Sequence, residues 1–91
     1  MVNISTLKKE IRTVITENVN KETATEFEET YIDCFEEGVR EDAENASVAS
    51  LYGQISTNQA EEDGDMYDAT RFALGYLQET YSRDEKVEGI S

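Results

Sequence analysis

Apolar residues return every three or four positions over most of the chain, and this spacing divides it into helices. Ile4, Leu7, Ile11, Val14, Ile15 and Val19 share one arc of a helix that turns about 100° per residue. Lys9, Thr13, Thr16 and Glu17 lie opposite. The pattern predicts a first helix over about 5–18, with Ser5 or Thr6 as its cap. After a polar break at 18–22, Thr23 with Glu26 and Thr25 with Glu28 fit capping boxes. Phe27, Tyr31, Cys34 and Phe35 then make an apolar stripe, with Gly38 on the same side. The second helix stops at Gly38 or runs on to about Glu44.

Val48, Leu51, Tyr52 and Ile55 give the spacing of a third helix, with Asn45 or Ser47 as cap. Residues 56–64 have Ala60 as their one apolar side chain and read as an exposed loop. Asp65 is the expected cap of a fourth helix reaching about Ser82, with Met66, Ala69, Ala73, Leu74, Tyr76, Leu77 and Tyr81 on its apolar arc. The tail over 83–91 reads as frayed. Sustained strand alternation is absent from the pattern. The expected fold is all-α: one acidic helical domain over 1–91, a small bundle of three or four helices with a strongly acidic exposed face.

Composition adds constraints to that picture. The 91 residues include no histidine, proline or tryptophan and a single cysteine. One cysteine makes no internal disulfide, and no apolar run approaches a membrane span, so a cytoplasmic location is expected (host cytoplasm if the chain is viral). A net charge of −13 is repelled by nucleic acid and by anionic membrane surfaces. Direct contact with either is not expected.

The charge is also unevenly placed. Residues 22–68 hold fifteen carboxylates and one basic side chain, Arg40, a formal charge of −14 against −13 for the whole chain. On a wheel of the second helix, Glu22, Glu26, Glu29, Asp33, Glu36 and Glu37 fall opposite the apolar stripe and point fully into water. Neighbours three and four apart stand about 5–6 Å from one another, and each like-charge pair costs the helix roughly 0.2–0.5 kcal/mol. Concentrated charge of one sign destabilises a compact chain, and a strongly positive partner surface would offset that cost. A solvated face with no partner is the plain alternative. Adaptation to high salt is another, but glutamate outnumbers aspartate fifteen to six and the flanks are not acidic.

Metal and catalytic chemistry find little support in these residues. Glu61, Glu62, Asp63, Asp65 and Asp68 form an acidic cluster. Counted as a calcium loop from Asp63, it has Tyr67 at the fifth position and Asp68 where the glycine belongs, so no metal or cofactor is assigned. Acid–base catalysis lacks histidine and an evident carboxylate pair, so the chain is not read as an enzyme. Cys34 lies between Asp33 and Glu36, whereas an activated thiol needs an electropositive setting, and it reads as a small buried hydrophobe. Phe72 falls off the apolar arc of the fourth helix, on the same side as Gly75. These two residues mark a candidate self-association contact, hence a possible homodimer. A fourth helix buried on two sides would explain them equally.

The small size, the acidity and the run Glu28-Glu29-Thr30-Tyr31-Ile32-Asp33-Cys34-Phe35-Glu36-Glu37 together resemble the phage-type acidic DNA-mimic inhibitors. That class includes antirestriction proteins, anti-CRISPR proteins and inhibitors of DNA-repair enzymes. The resemblance lies in charge display and not in a shared motif. It implies an inhibitor that occupies the basic nucleic-acid-binding groove of a host defence or DNA-processing protein. The contact residues would be Glu22, Glu26, Glu28, Glu29, Asp33, Glu36, Glu37, Glu41, Asp42, Glu44, Glu61, Glu62, Asp63, Asp65 and Asp68. The alternative is an acidic adaptor that binds a basic protein partner without imitating nucleic acid.

Overall fold

A computed structural model describes residues 1–88. Four helices form the fold among these residues, as the apolar spacing predicts. Helix α1 is Ile4–Asn18. Helix α2 is continuous through three pieces: α-helical Lys21–Phe27, π-helical Glu28–Ile32 and α-helical Asp33–Glu41. A 3₁₀ turn at Ala43–Asn45 leads into α3, Val48–Gln59, and α4 is Gly64–Thr80.

Side-chain caps fix three of the four starts. Asn3 Oδ1 accepts from the Ser5 amide at 2.7 Å, and Asn20 Oδ1 accepts from the Thr23 amide at 2.7 Å. Ser47 caps α3, as expected. The hydroxyl caps expected for α1 and α2 are therefore displaced by asparagines just upstream, and Thr23 is buried inside the helix it was expected to begin. Helix α4 begins at Gly64, whose φ of +57° is open to glycine without steric cost. Asp65 sits inside its first turn and is not the cap.

Ile4, Leu7, Ile11 and Ile15 of α1 are sealed from water, together with Phe27, Ile32, Val48, Leu51, Ile55 and Leu77 from the other helices. Removing each such side chain from water is worth roughly 1.5–3 kcal/mol. Thr70 is fully buried as well and meets its polar requirement by donating to the Tyr67 carbonyl at 2.7 Å.

The π turn sets the register of everything after it. A π turn closes i→i+5 bonds and adds one residue to the helix, here shown by the Asp33 amide donating to the Glu28 carbonyl. It brings Phe27, Tyr31 and Ile32 onto the core side together. The extra residue swings the following turns by about 100° relative to a straight α-helix. The buried stripe continues through Phe35 and Val39, and Cys34 and Gly38 rotate out to solvent. Cys34 is thus exposed, not the buried hydrophobe expected from a straight helix.

The tail also departs from expectation. Residues 83–88 are tied down: Val87–Glu88 pairs in parallel with Val2–Asn3. The Val87 amide donates to the Ala46 carbonyl at 3.2 Å, and Val87 is buried. The remainder of the tail expected to fray, 89–91, lies outside the described residues. A pair of two-residue strands is too short to leave an alternating pattern in sequence.

Candidate functional site

The fifteen carboxylates of residues 22–68 divide into two populations. Three on α2 face α1. Lys8 Nζ stands 3.2 Å from Asp33 Oδ1 and 3.3 Å from Glu36 Oε1. Arg12 Nη2 stands 2.6 Å from Glu28 Oε2. Arg40 adds a looser contact to Glu36 at 3.7 Å. Burial alone would make the Lys8 ammonium easier to deprotonate, but the bonds and charges of Asp33 and Glu36 outweigh it and hold Lys8 charged above its usual range. These carboxylates belong to the α1–α2 seam, so the sequence reading that pointed Asp33 and Glu36 fully into water is corrected. The π turn is the cause, since it rotates both toward α1.

Four others are held by the fold in other ways. Glu62 accepts a short hydrogen bond from the Tyr31 hydroxyl. Burial, that bond and the nearby charges of Glu62 and Glu61 push the Tyr31 hydroxyl well above the usual tyrosine range. Asp65 accepts from Asn20 Nδ2 at 3.1 Å, Asp42 from Asn45 Nδ2 at 2.8 Å, and Asp68 lies 3.7 Å from Arg71 Nη2.

The remaining eight are exposed, and no cation or side-chain donor among the described residues reaches them: Glu22, Glu26, Glu29, Glu37, Glu41, Glu44, Glu61 and Asp63. The first five follow the outward side of α2. With about 1.5 Å of rise per residue, Glu22, Glu26 and Glu29 sit about 4.5–6 Å apart along the axis, and a gap of about 12 Å precedes Glu37. Exposed Cys34 occupies part of that gap. One strand of duplex DNA carries a charge roughly every 3.4 Å along its axis, so the closely spaced part of the row falls between the spacings of successive and of alternate phosphates. The bond between Tyr31 and Glu62 holds the turn before α4 against the middle of α2, and brings the charge of Glu61 near the Tyr31 hydroxyl.

The acidic cluster of residues 61–68 does not converge, and no group of three or more acidic or cysteine side chains among the described residues is arranged to hold a metal ion. No helix of the described residues is long and apolar enough to cross a membrane.

Sequence reasoning missed the cations that pair with this face. Lys8 and Arg12 are four apart on α1, each next to a residue of the buried stripe, Leu7 or Ile11. That spacing is the signal of a cationic row lying along a helix–helix seam.

Phe72 and Gly75 do lie together, on the face of α4 beside α1. They line a shallow groove of about 280 Å³ with Val14, Arg71, Tyr76 and Glu79. In comparisons with protein-family models, curated proteins and solved structures, nothing matched the chain.

Proposed function

We propose that this protein is a DNA-mimic inhibitor that fills the basic nucleic-acid-binding groove of a host defence or DNA-processing protein, such as a restriction enzyme or a CRISPR effector. One observation supports this reading above the rest. Glu22, Glu26, Glu29, Glu37 and Glu41 stand bare along a single side of α2, although the same helix pairs its carboxylates with cations on its other side. A fold able to neutralise charge on one side of a helix leaves five like charges unanswered on the other, at a cost in repulsion. Lysines and arginines arranged to grip a row of phosphates would meet these carboxylates from a rigid scaffold, and steering by the net charge of −13 would speed the encounter.

Capture from cell lysate tests the proposal. The protein is immobilised, nucleic acid is removed with nuclease, and bound material is challenged with duplex DNA. The expected result is a nucleic-acid-binding enzyme that the DNA displaces. A basic partner that DNA does not displace would favour the adaptor. Glu26→Lys with Glu29→Lys should weaken the captured interaction by about a hundredfold, since each reversal removes an attraction and adds a repulsion. Glu17→Lys with Asp84→Lys makes the same change in net charge at residues outside the row. Equal losses from both pairs would leave only a nonspecific polyanion.

A further inference from the structure

The groove around Phe72 points to a second copy of this chain. Gly75 stands near the middle of the 17-residue α4, where glycine is the poorest helix former after proline. Nothing among the described residues requires it, because a Cβ at Gly75 would meet none of their atoms within 4 Å. Phe72 and Val14 are half-buried yet do not pack against the core cluster, unlike the neighbouring Tyr76. An aromatic ring off the core beside a glycine with no internal purpose is the arrangement of a contact made by another chain.

We propose that α4 packs antiparallel against α4 of a second copy, about a two-fold axis that passes through Gly75. Such an axis sets each residue at the level of the one equally far from Gly75 on the other side. Arg71, four before, then meets the level of Glu79, four after, and the pair occurs twice by symmetry. The Arg71 guanidinium already leans over the Phe72 ring, 4.8 Å from its centre, which carries its charge to the flank where the second copy's Glu79 arrives. Phe72 enters the second copy's groove between Val14, Gly75 and Tyr76, and glycine at the crossing lets the two backbones approach. This face is built from α4 and α1, with none of the bare carboxylates of α2 in its lining, and it carries charges of both signs, so it is where two chains of −13 can meet.

The proposal does not depend on the inhibitor reading, and salt separates the two. Added salt screens the repulsion between two acidic chains and should tighten self-association, whereas it weakens binding of the carboxylate row to a basic groove. Sedimentation equilibrium of the full chain should show a monomer–dimer equilibrium that strengthens with salt. Glu79→Arg should weaken it by about tenfold or more, and Arg71→Glu combined with Glu79→Arg should restore it to within about threefold. Gly75→Leu should abolish the dimer while circular dichroism shows undiminished helix, which separates loss of contact from loss of fold. A chain that stays monomeric at every salt and at protein concentrations up to about 1 mM, as it would if this face received a different protein, overturns the proposal. So does a dimer indifferent to Gly75→Leu and Glu79→Arg, or a double variant no tighter than Glu79→Arg alone.

Discussion

Along the side of α2 that meets α1, Glu28, Asp33 and Glu36 each face a cation; along its outward side Glu22, Glu26, Glu29, Glu37 and Glu41 face none among the described residues. Glu28 and Glu29 are chain neighbours on opposite sides of this divide. The Glu28 side chain is 15% exposed and bound to Arg12, whereas Glu29 is open to water. Residue type therefore says little about which carboxylates hold the fold and which are free to act. The α1–α2 seam ties two helices together, and its loss leaves charges half-buried and unpaired. The outward row contributes nothing to packing, and its neighbours at Glu22–Glu26, Glu26–Glu29 and Glu37–Glu41 repel.

The contrast can be broken at the π turn. Ile32 is sealed in the core only because the extra residue turns it inward, so Ile32→Ala should cost about 2–4 kcal/mol, read from urea unfolding. Cys34→Ala, on the outward side, should change stability by under about 0.5 kcal/mol. The reverse order would restore a straight helix with Cys34 in the core.

The alkaline limb comes next in size. Burial and the bond to Glu62 raise the Tyr31 hydroxyl above the usual range, and burial with the bond to Glu10 does the same for Tyr81. Lys8 is raised by its carboxylate partners against the effect of burial. For a group whose folded value is raised, stabilisation is complete below the unfolded value, about pH 10, and is lost as pH climbs through the folded one. The melting temperature should fall above about pH 10, and more gently in a variant with both Tyr31→Phe and Tyr81→Phe. An unchanged slope would show that these hydroxyls are not bonded in the folded chain.

The seam can then be weighed against the row by removing one charge from each. Lys8→Met should cost about 1–2 kcal/mol, because it leaves Asp33 without a cation and Glu36 with only the looser contact to Arg40. Glu29→Gln or Glu37→Gln should raise stability by about 0.2–0.5 kcal/mol per like-charge pair relieved. A loss from either glutamine variant would mean that the row is paired after all.

Much of this fold could be read from the sequence, since a stripe such as Ile4, Leu7, Ile11 and Ile15 repeats at the helical period and has one way to be buried. The register of α2 could not, because reading a wheel at a fixed 100° assumes the one thing the π turn changes. A trace of it remained in Ile32 and Val39, two large apolar residues that a straight helix would have left off the apolar stripe. Misplacing that register sent Cys34 inward and Asp33 and Glu36 outward, which made one continuous acidic ridge of a seam and a row. Caps were misread for a smaller reason: Asn3 and Asn20 serve as well as the hydroxyls that follow them.

The division of α2 into a paired side and a bare side rests on its register after the π turn, and Cys34 reports that register directly. An uncharged maleimide, which neighbouring carboxylates do not repel, should label Cys34 in the folded protein within about tenfold of its rate in the urea-unfolded chain. Protection by a factor of about a thousand or more, lifted only by denaturant, would put Cys34 in the core, return Asp33 and Glu36 to the outward side, and contradict the division.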